Sequence, residues 1–413
     1  MKLPLLCSLV WLLIVAHLPA QDPSFSHFYG NKSTYNPAFV GRRGARSFTA
    51  KYRTQWGADD AQAYRTYQFL LEESMPCFFL DWGLVATRDQ EGEGLLTTDE
   101  FGVRFAFFIP TSKFGKSSED GTRTTYQSNL RIGFGGHWGR RYIDYDQLTF
   151  LDQLDPLYGL LDRNGNPNST DFTPPPQASS PGYFSTSIGV SYHHAIDPKD
   201  VKSLVFDLGV AIHNASLFVS PRDRQSASLL GLDNPLGQRL LFTAEAEKVI
   251  YHKDKQYWSL RPQVVMEFQE GLSYVETGVA TSWSRRFTFG IYYHLAKAQD
   301  IGRASNWGSL KLEMGQLSLG EGTRFDLGLG YSIQNGPLKN YVAAPFELTA
   351  TFHFGKRSAL CGLLGLDGRF NGADRSGQPD CPTFSSGARD KMYENIWYKT
   401  KLSKAPTDSN PVN

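Results

Sequence analysis

The stretch FDLGLGYSI, Phe325 to Ile333, decides the architecture. Successive side chains of an extended chain point to opposite faces. Phe325, Leu327, Leu329, Tyr331 and Ile333 therefore share one face, and Asp326, Gly328, Gly330 and Ser332 share the other. Shortly after it, FELTATFHF sets Phe346, Leu348, Ala350, Phe352 and Phe354 against Glu347, Thr349, Thr351 and His353. Two earlier segments repeat the design, with Leu204, Phe206, Leu208, Val210 and Ile212 in one and Trp258, Leu260, Pro262, Val264, Met266 and Phe268 in the other. One greasy and one wet face in every segment is the pattern of a sheet between two unlike surroundings.

Working outward from these segments, the period of two marks about fourteen strands, an even number that suits a closed antiparallel membrane barrel. They are expected near 46–56, 65–72, 78–88, 99–110, 125–138, 182–193, 202–214, 238–250, 256–268, 273–284, 285–295, 306–318, 323–334 and 345–355. If both ends of the barrel face the periplasm, the links alternate between tight turns and longer surface loops. ESMPC, HAIDPKDVK, HKDK, RR and SLGEG are the tight ones, whereas residues 139–182 and 214–237 make long loops. TSKFGKSSEDGTRT, a long turn, and the very short link at QEG break the alternation.

Composition narrows the class. Aromatic residues make up 14% of the 413 residues, with 39 glycines, and mean hydropathy is −0.37. Beyond residue 20 no apolar run approaches the length of a membrane helix, so a helical membrane protein is excluded. Lysine and arginine total 42 against 41 acidic residues, a net charge of +1 that leaves no electrostatic footprint for nucleic acid. Trp56, Trp82, Trp138, Trp258, Trp283 and Tyr331 fall near strand ends, as interfacial girdles require. The other face carries Lys51, Arg53, Arg104, Arg131, Asp207, Glu245, Glu247, Arg261, Glu267, Glu276, Lys311, Glu313, Asp326 and Glu347. Mixed charge in a confined lumen favours ion pairing across the barrel, and a filled interior over an open channel.

Met1-Lys2, the apolar run LLCSLVWLLIVA and the Pro19-Ala20 exit form a secretory signal peptide, with cleavage expected after Ala20. The chain then reads QDPSFSHFYGNKSTYNPAFVG, Gln21 to Gly41, rich in aromatic and turn residues and without strand period. Domain organisation follows: signal peptide 1–20, aromatic leader 21–45, barrel 46–355 and a C-terminal extension 356–413.

That leader, followed by the strand KYRTQW, resembles the start of the PorP/SprF family, outer-membrane barrels of the type IX secretion and gliding apparatus of Bacteroidetes. The resemblance continues at YIDYDQLTFLDQLDPLYG, PGYFSTSIGVSYHH, LVFDLGVAIHNAS and LRPQVVMEFQEGLSYVETGVATSWSRRFTFGIYYH, and covers about Gln21 to Phe354. It implies a structural and interaction component that helps export a large surface protein, often an adhesin, and holds it at the cell surface with other secretion components. A diffusion porin is the alternative. Pro23, Asn36 and Pro37 break regular structure, while Phe25, Phe28, Tyr29, Tyr35 and Phe39 supply anchors. The ribbon is expected either to fold into the periplasmic mouth or to offer itself to a neighbour. Tyr142, Asp144, Asp152 and Asp155 are the second set of candidate partner contacts.

Family members usually stop at the last strand, whereas this chain continues to Asn413. Cys361 and Cys381 lie in the extension and are expected to form a disulfide, with Cys77 as the competing partner. DKMYENIWYKTKL is a candidate short helix there. The histidines are scattered with no nucleophile motif beside them, so neither catalysis nor a cofactor is expected. Asp162, Asn164 and Asn166 repeat the start of a calcium loop, but Pro167 replaces the glycine and no glutamate follows at the twelfth position. An Asn/Gly turn is the better reading, and no metal is expected.

Overall fold

The structure, a computed structural model, describes residues 25–42, the strands between 46 and 354, most of the loop 143–182 and short stretches beside other strands. The signal peptide, the 356–413 extension with Cys361 and Cys381, and Cys77 lie outside the described residues.

Fourteen strands run in order: β1 (Arg46–Gln55), β2 (Tyr64–Met75), β3 (Leu80–Glu91), β4 (Leu96–Ser117), β5 (Arg123–Tyr142), β6 (Tyr183–Ile196) and β7 (Leu204–His213) make the first half. The second half is β8 (Arg239–Lys253), β9 (Gln256–Gln269), β10 (Leu272–Trp283), β11 (Phe287–Ala298), β12 (Ala304–Gly320), β13 (Thr323–Gln334) and β14 (Phe346–Phe354). Each pairs antiparallel with its neighbours, and β1 closes on β14 in a register running from Arg46 opposite Phe354 to Thr54 opposite Phe346. Closure removes the open edges that would otherwise leave backbone groups unpaired in lipid. Residues 46 and 354 therefore share one rim, the terminal rim, and the loop after β5 leaves from the opposite, far rim.

Burial is inverted relative to a water-soluble sheet. Along β14, Glu347, Thr349, Thr351 and His353 are buried while Phe354 is exposed, and along β13 Asp326 and Ser332 are buried while Tyr331 and Ile333 are exposed. Phe101, Val103, Phe105 and Phe107 of β4 likewise face outward around the buried Arg104. Only a bilayer makes such an apolar exterior favourable, because each buried methylene is worth about 0.8 kcal/mol. Trp138 and Tyr331 face outward near the far rim, and Trp258 does so near the terminal rim.

The expected strands and the observed ones agree in number, with one notable correction. β4 and β5 run 22 and 20 residues, so most of the predicted long turn TSKFGKSSEDGTRT is ladder, continuing to Lys116 opposite Thr124 and Ser117 opposite Arg123. Pro110 and Gly115 read as turn residues, but a register shift between Pro110 and Ser112 absorbs the proline and lets pairing resume. The short link at QEG is accommodated by Gly271, whose φ of +84° is cheap only for glycine.

Candidate functional site: the occupied lumen

The leader has its own local structure. Three short 3-10 turns, Phe28–Gly30, Lys32–Thr34 and Pro37–Phe39, follow one another. Asn31 Oδ1 accepts the Ser33 amide at 2.8 Å, and Asn36 Oδ1 accepts the Ala38 amide at 2.8 Å, so each asparagine starts the turn behind it. Pro37 opens the third turn with a preset φ. Such a chain cannot join a ladder, and it does not. It lies inside the barrel, with Pro37–Ala38 against Gly133 in the middle of β5 and Asn36 against Gly189 in the middle of β6, and neither at the mouth nor offered to a neighbour, the two places the sequence left open.

Apolar packing holds one side. Phe28 meets Tyr35 edge-on at 5.0 Å between ring centroids and Phe39 at 6.4 Å. These three rings are buried with Ala211, Leu241, Val265, Ala280 and Tyr292, inward-facing residues of β7 to β11. Phe25 is also buried, with the Lys51 ammonium 4.3 Å from its ring centroid, and its carbonyl accepts the Tyr35 hydroxyl at 2.5 Å.

Charged barrel side chains grip the ribbon's main chain. Arg131 donates from Nε to Ala38 O at 2.7 Å and from Nη2 to Val40 O at 2.6 Å, and Arg104 Nη1 donates to Ser33 O at 2.6 Å. His213 Nε2 contacts Tyr35 O at 2.9 Å, and Lys311 Nζ donates to Ser26 O. Glu347 on the closing strand accepts the amides of Ser26 at 2.7 Å and His27 at 3.1 Å. Asn36 Nδ2 in turn reaches Val190 O and Val210 O, each at 3.1 Å. Ribbon side chains complete the electrostatics: Arg42 pairs with Asp207, Lys32 with Glu245, and Ser33 donates to Glu72. Between strands, ion pairs join lumen-facing residues with one strand between them along the wall, Arg131–Asp81 at 2.7 Å and Lys311–Glu276, and the ribbon supplies the cation at Arg42–Asp207 and Lys32–Glu245.

Room for the ribbon comes from glycine. A β-carbon on Gly133 would collide with the Pro37–Ala38 backbone, one on Gly189 with the Asn36 side chain, and one on Gly328 with the His27 ring. These inward glycines, with the inward apolar residues Leu241 and Val265, are a sequence signal for a filled lumen that the reading from mixed charge passed over. They sit where a water-filled pore would carry polar side chains.

Phe25, Phe28, Tyr35, Asn36, Pro37 and Phe39 are thus brought together inside, and Tyr29 belongs to the first turn, its side chain outside the described residues. Tyr142, Asp144, Asp152 and Asp155 stand apart at the far rim. Tyr142 donates to Asp99 at 3.4 Å, and Asp144 caps the Asp146 amide at 3.1 Å. Asp152 accepts from Thr170 and from the Asp171 amide, and Asp155 from the amides of Leu157 and Tyr158. Asp162 accepts the Asn164 and Asn166 amides at 2.7 and 2.8 Å, an Asn/Gly turn. Two of the histidines lie beside lumen carboxylates: His193 meets Asp207 at 2.6 Å and His353 meets Asp326 at 2.9 Å.

Among solved structures, the chain is similar to the transport unit of the autotransporter AIDA-I from Escherichia coli, with 9% identity over 80% of this chain and 100% of that one, at a TM-score of 0.29. It is also similar to the toluene transporter TbuX of Ralstonia pickettii, with 11% identity over 78% and 92% and a TM-score of 0.34. CdiB from Acinetobacter baumannii gives 8% identity over 74% and 60% at 0.35. Likenesses this distant carry no argument about activity. No curated protein matches the chain. The sequence pattern of the type IX secretion system membrane protein PorP/SprF matches residues 18–352. A closed fourteen-stranded barrel, greasy outside and charged inside, is the form such a membrane protein takes in the outer membrane. The chain belongs to the PorP/SprF family of type IX secretion system membrane proteins, and is a secretion-related outer-membrane barrel.

Proposed function

We propose that the barrel is an interaction component of the type IX machinery that assists export of a large secreted protein, such as an adhesin, and anchors it at the cell surface. Both termini then face the periplasm, where secretion components meet the terminal rim, and the far rim faces outward. The observation that supports this over a diffusion porin is the lumen, crossed by the chain's own leader from Ser26 at Glu347 to Arg42 at Asp207. A solute path would need that space.

Affinity purification from detergent-solubilised outer membranes tests the reading: a secreted protein and at least one other secretion component are expected to come down with the barrel. Recovery of the barrel alone, with secretion unaffected in its absence, would contradict it. The leader is part of the proposal. A variant with Phe25, Phe28, Tyr29 and Tyr35 replaced by serine is expected to insert, because the lipid-facing pattern is intact, and to lose surface display of its client. Each buried aromatic removed costs on the order of 3–5 kcal/mol. Normal display by the inserted variant would remove the leader from the mechanism.

The extension is proposed to be a small module closed by Cys361–Cys381. Mass spectrometry of a non-reduced digest is expected to find that link, and finding Cys77 joined to either cysteine would show the tail stapled to the barrel instead.

A further inference from the structure

The loop that leaves β5 at the far rim is folded by its own aspartates and holds its leucines outward. Asp155 Oδ1 accepts the amides of Leu157 at 2.7 Å and Tyr158 at 2.9 Å, and the backbones of Asp155 and Gly159 pair in both directions. Gln153 and Asn168 tie the two arms together, with Asn168 Nδ2 donating to Gln153 O at 2.9 Å and Gln153 Nε2 to Asn168 O at 3.2 Å. Phe150 stacks on Phe172 at 4.3 Å beneath them. On this frame Leu151 and Leu157 are each 85% exposed, and Leu154, Tyr158, Leu160 and Leu161 are exposed as well. Six large apolar side chains within eleven residues, fixed by hydrogen bonds, form a surface that water does not favour. They lie beyond the ends of the strands, away from the lipid-facing ladder.

Charge selects the occupant. Between residues 143 and 174 six aspartates stand against one arginine. The Asp171 amide and the Thr170 hydroxyl hold the Asp152 carboxyl below its ordinary value, and the Asn166 amide does the same for Asp162, so both remain ionised. An anionic lipid surface is repelled by this loop, and a second copy would set aspartates against aspartates. We infer that the leucine face of this loop is a docking surface for a cationic amphipathic segment of a secreted or cell-surface protein, its apolar side on Leu151, Leu154 and Leu157 and its basic side toward the aspartates. The inference rests on the proposed orientation, in which the far rim faces outward.

The test uses the full chain in phosphatidylcholine nanodiscs and a fluorescent amphipathic peptide of lysine and leucine, with a glutamate-for-lysine peptide as its partner. The lysine peptide is expected to bind these discs above empty discs, to weaken with salt, and to lose about tenfold in affinity in the Leu151→Ser/Leu157→Ser variant. Both leucines are exposed, so the variant keeps its heat-modifiable mobility on gels. Equal binding of the two peptides, equal binding to the variant, or binding no better than to empty discs would overturn the inference. Binding that emerges only after deletion of residues 217–235 would also overturn it, by assigning the face to that segment of the chain. The orientation is read separately, from an epitope inserted beside Gly165: no labelling on intact cells would refute the outward rim without touching the peptide result.

Discussion

Gly133→Leu is expected to eject the leader from the lumen and leave the barrel closed. Gly133 lies in β5 with the Pro37–Ala38 backbone against it, so a new side chain meets main chain that cannot rotate away. Ala38 and Val40 are also the residues whose carbonyls Arg131 holds, so displacement there breaks two charge-assisted hydrogen bonds as well. Overpacking of this kind costs about 1–3 kcal/mol, and the lost contacts add to it. Limited proteolysis checks it: residues 25–42 become cleavable while heat-modifiable mobility persists. A leader as protected as in the unaltered protein would mean that the ribbon can shift within the lumen.

The second large effect is expected at Arg131→Ala. This side chain is fully buried and satisfies Ala38 O, Val40 O and the carboxylate of Asp81, itself fully buried on β3. Removing one member of a buried ion pair costs about 3–5 kcal/mol, because the remaining charge stays desolvated. The temperature at which the barrel loses its compact gel mobility should fall markedly, and Arg131→Lys should rescue little, since one ammonium cannot reproduce the forked geometry. An unchanged transition would show that Asp81 is adequately served by Ser74 and the Met75 amide.

Most of the barrel was legible because each strand separates lipid from lumen, and FELTATFHF states that division in nine residues. β4 and β5 were cut short in the sequence reading because Pro110 and Gly115 look like turn residues, and only the register with β5 shows the ladder resuming. The leader was recognised by its aromatics, but its place was not. Nothing local distinguishes a ribbon at the mouth from one inside. The evidence lay more than two hundred residues away, in inward glycines such as Gly328 and inward apolar residues such as Val265 and Ala280. The loop aspartates were read as partner contacts because they lie in the segment that carries the family resemblance. Backbone amides that only the folded loop brings near engage Asp144, Asp152 and Asp155, and what the loop exposes is leucine.

Ionic current through the purified full-length protein in planar bilayers tests the occupied lumen most directly. A closed barrel of fourteen strands is wide enough to conduct when empty. The full-length protein is expected to give no steady open-channel current, and a variant lacking residues 25–42 to give one. A steady current from the full-length protein equal to that of the deletion variant would contradict the filled lumen and return the barrel to the porins.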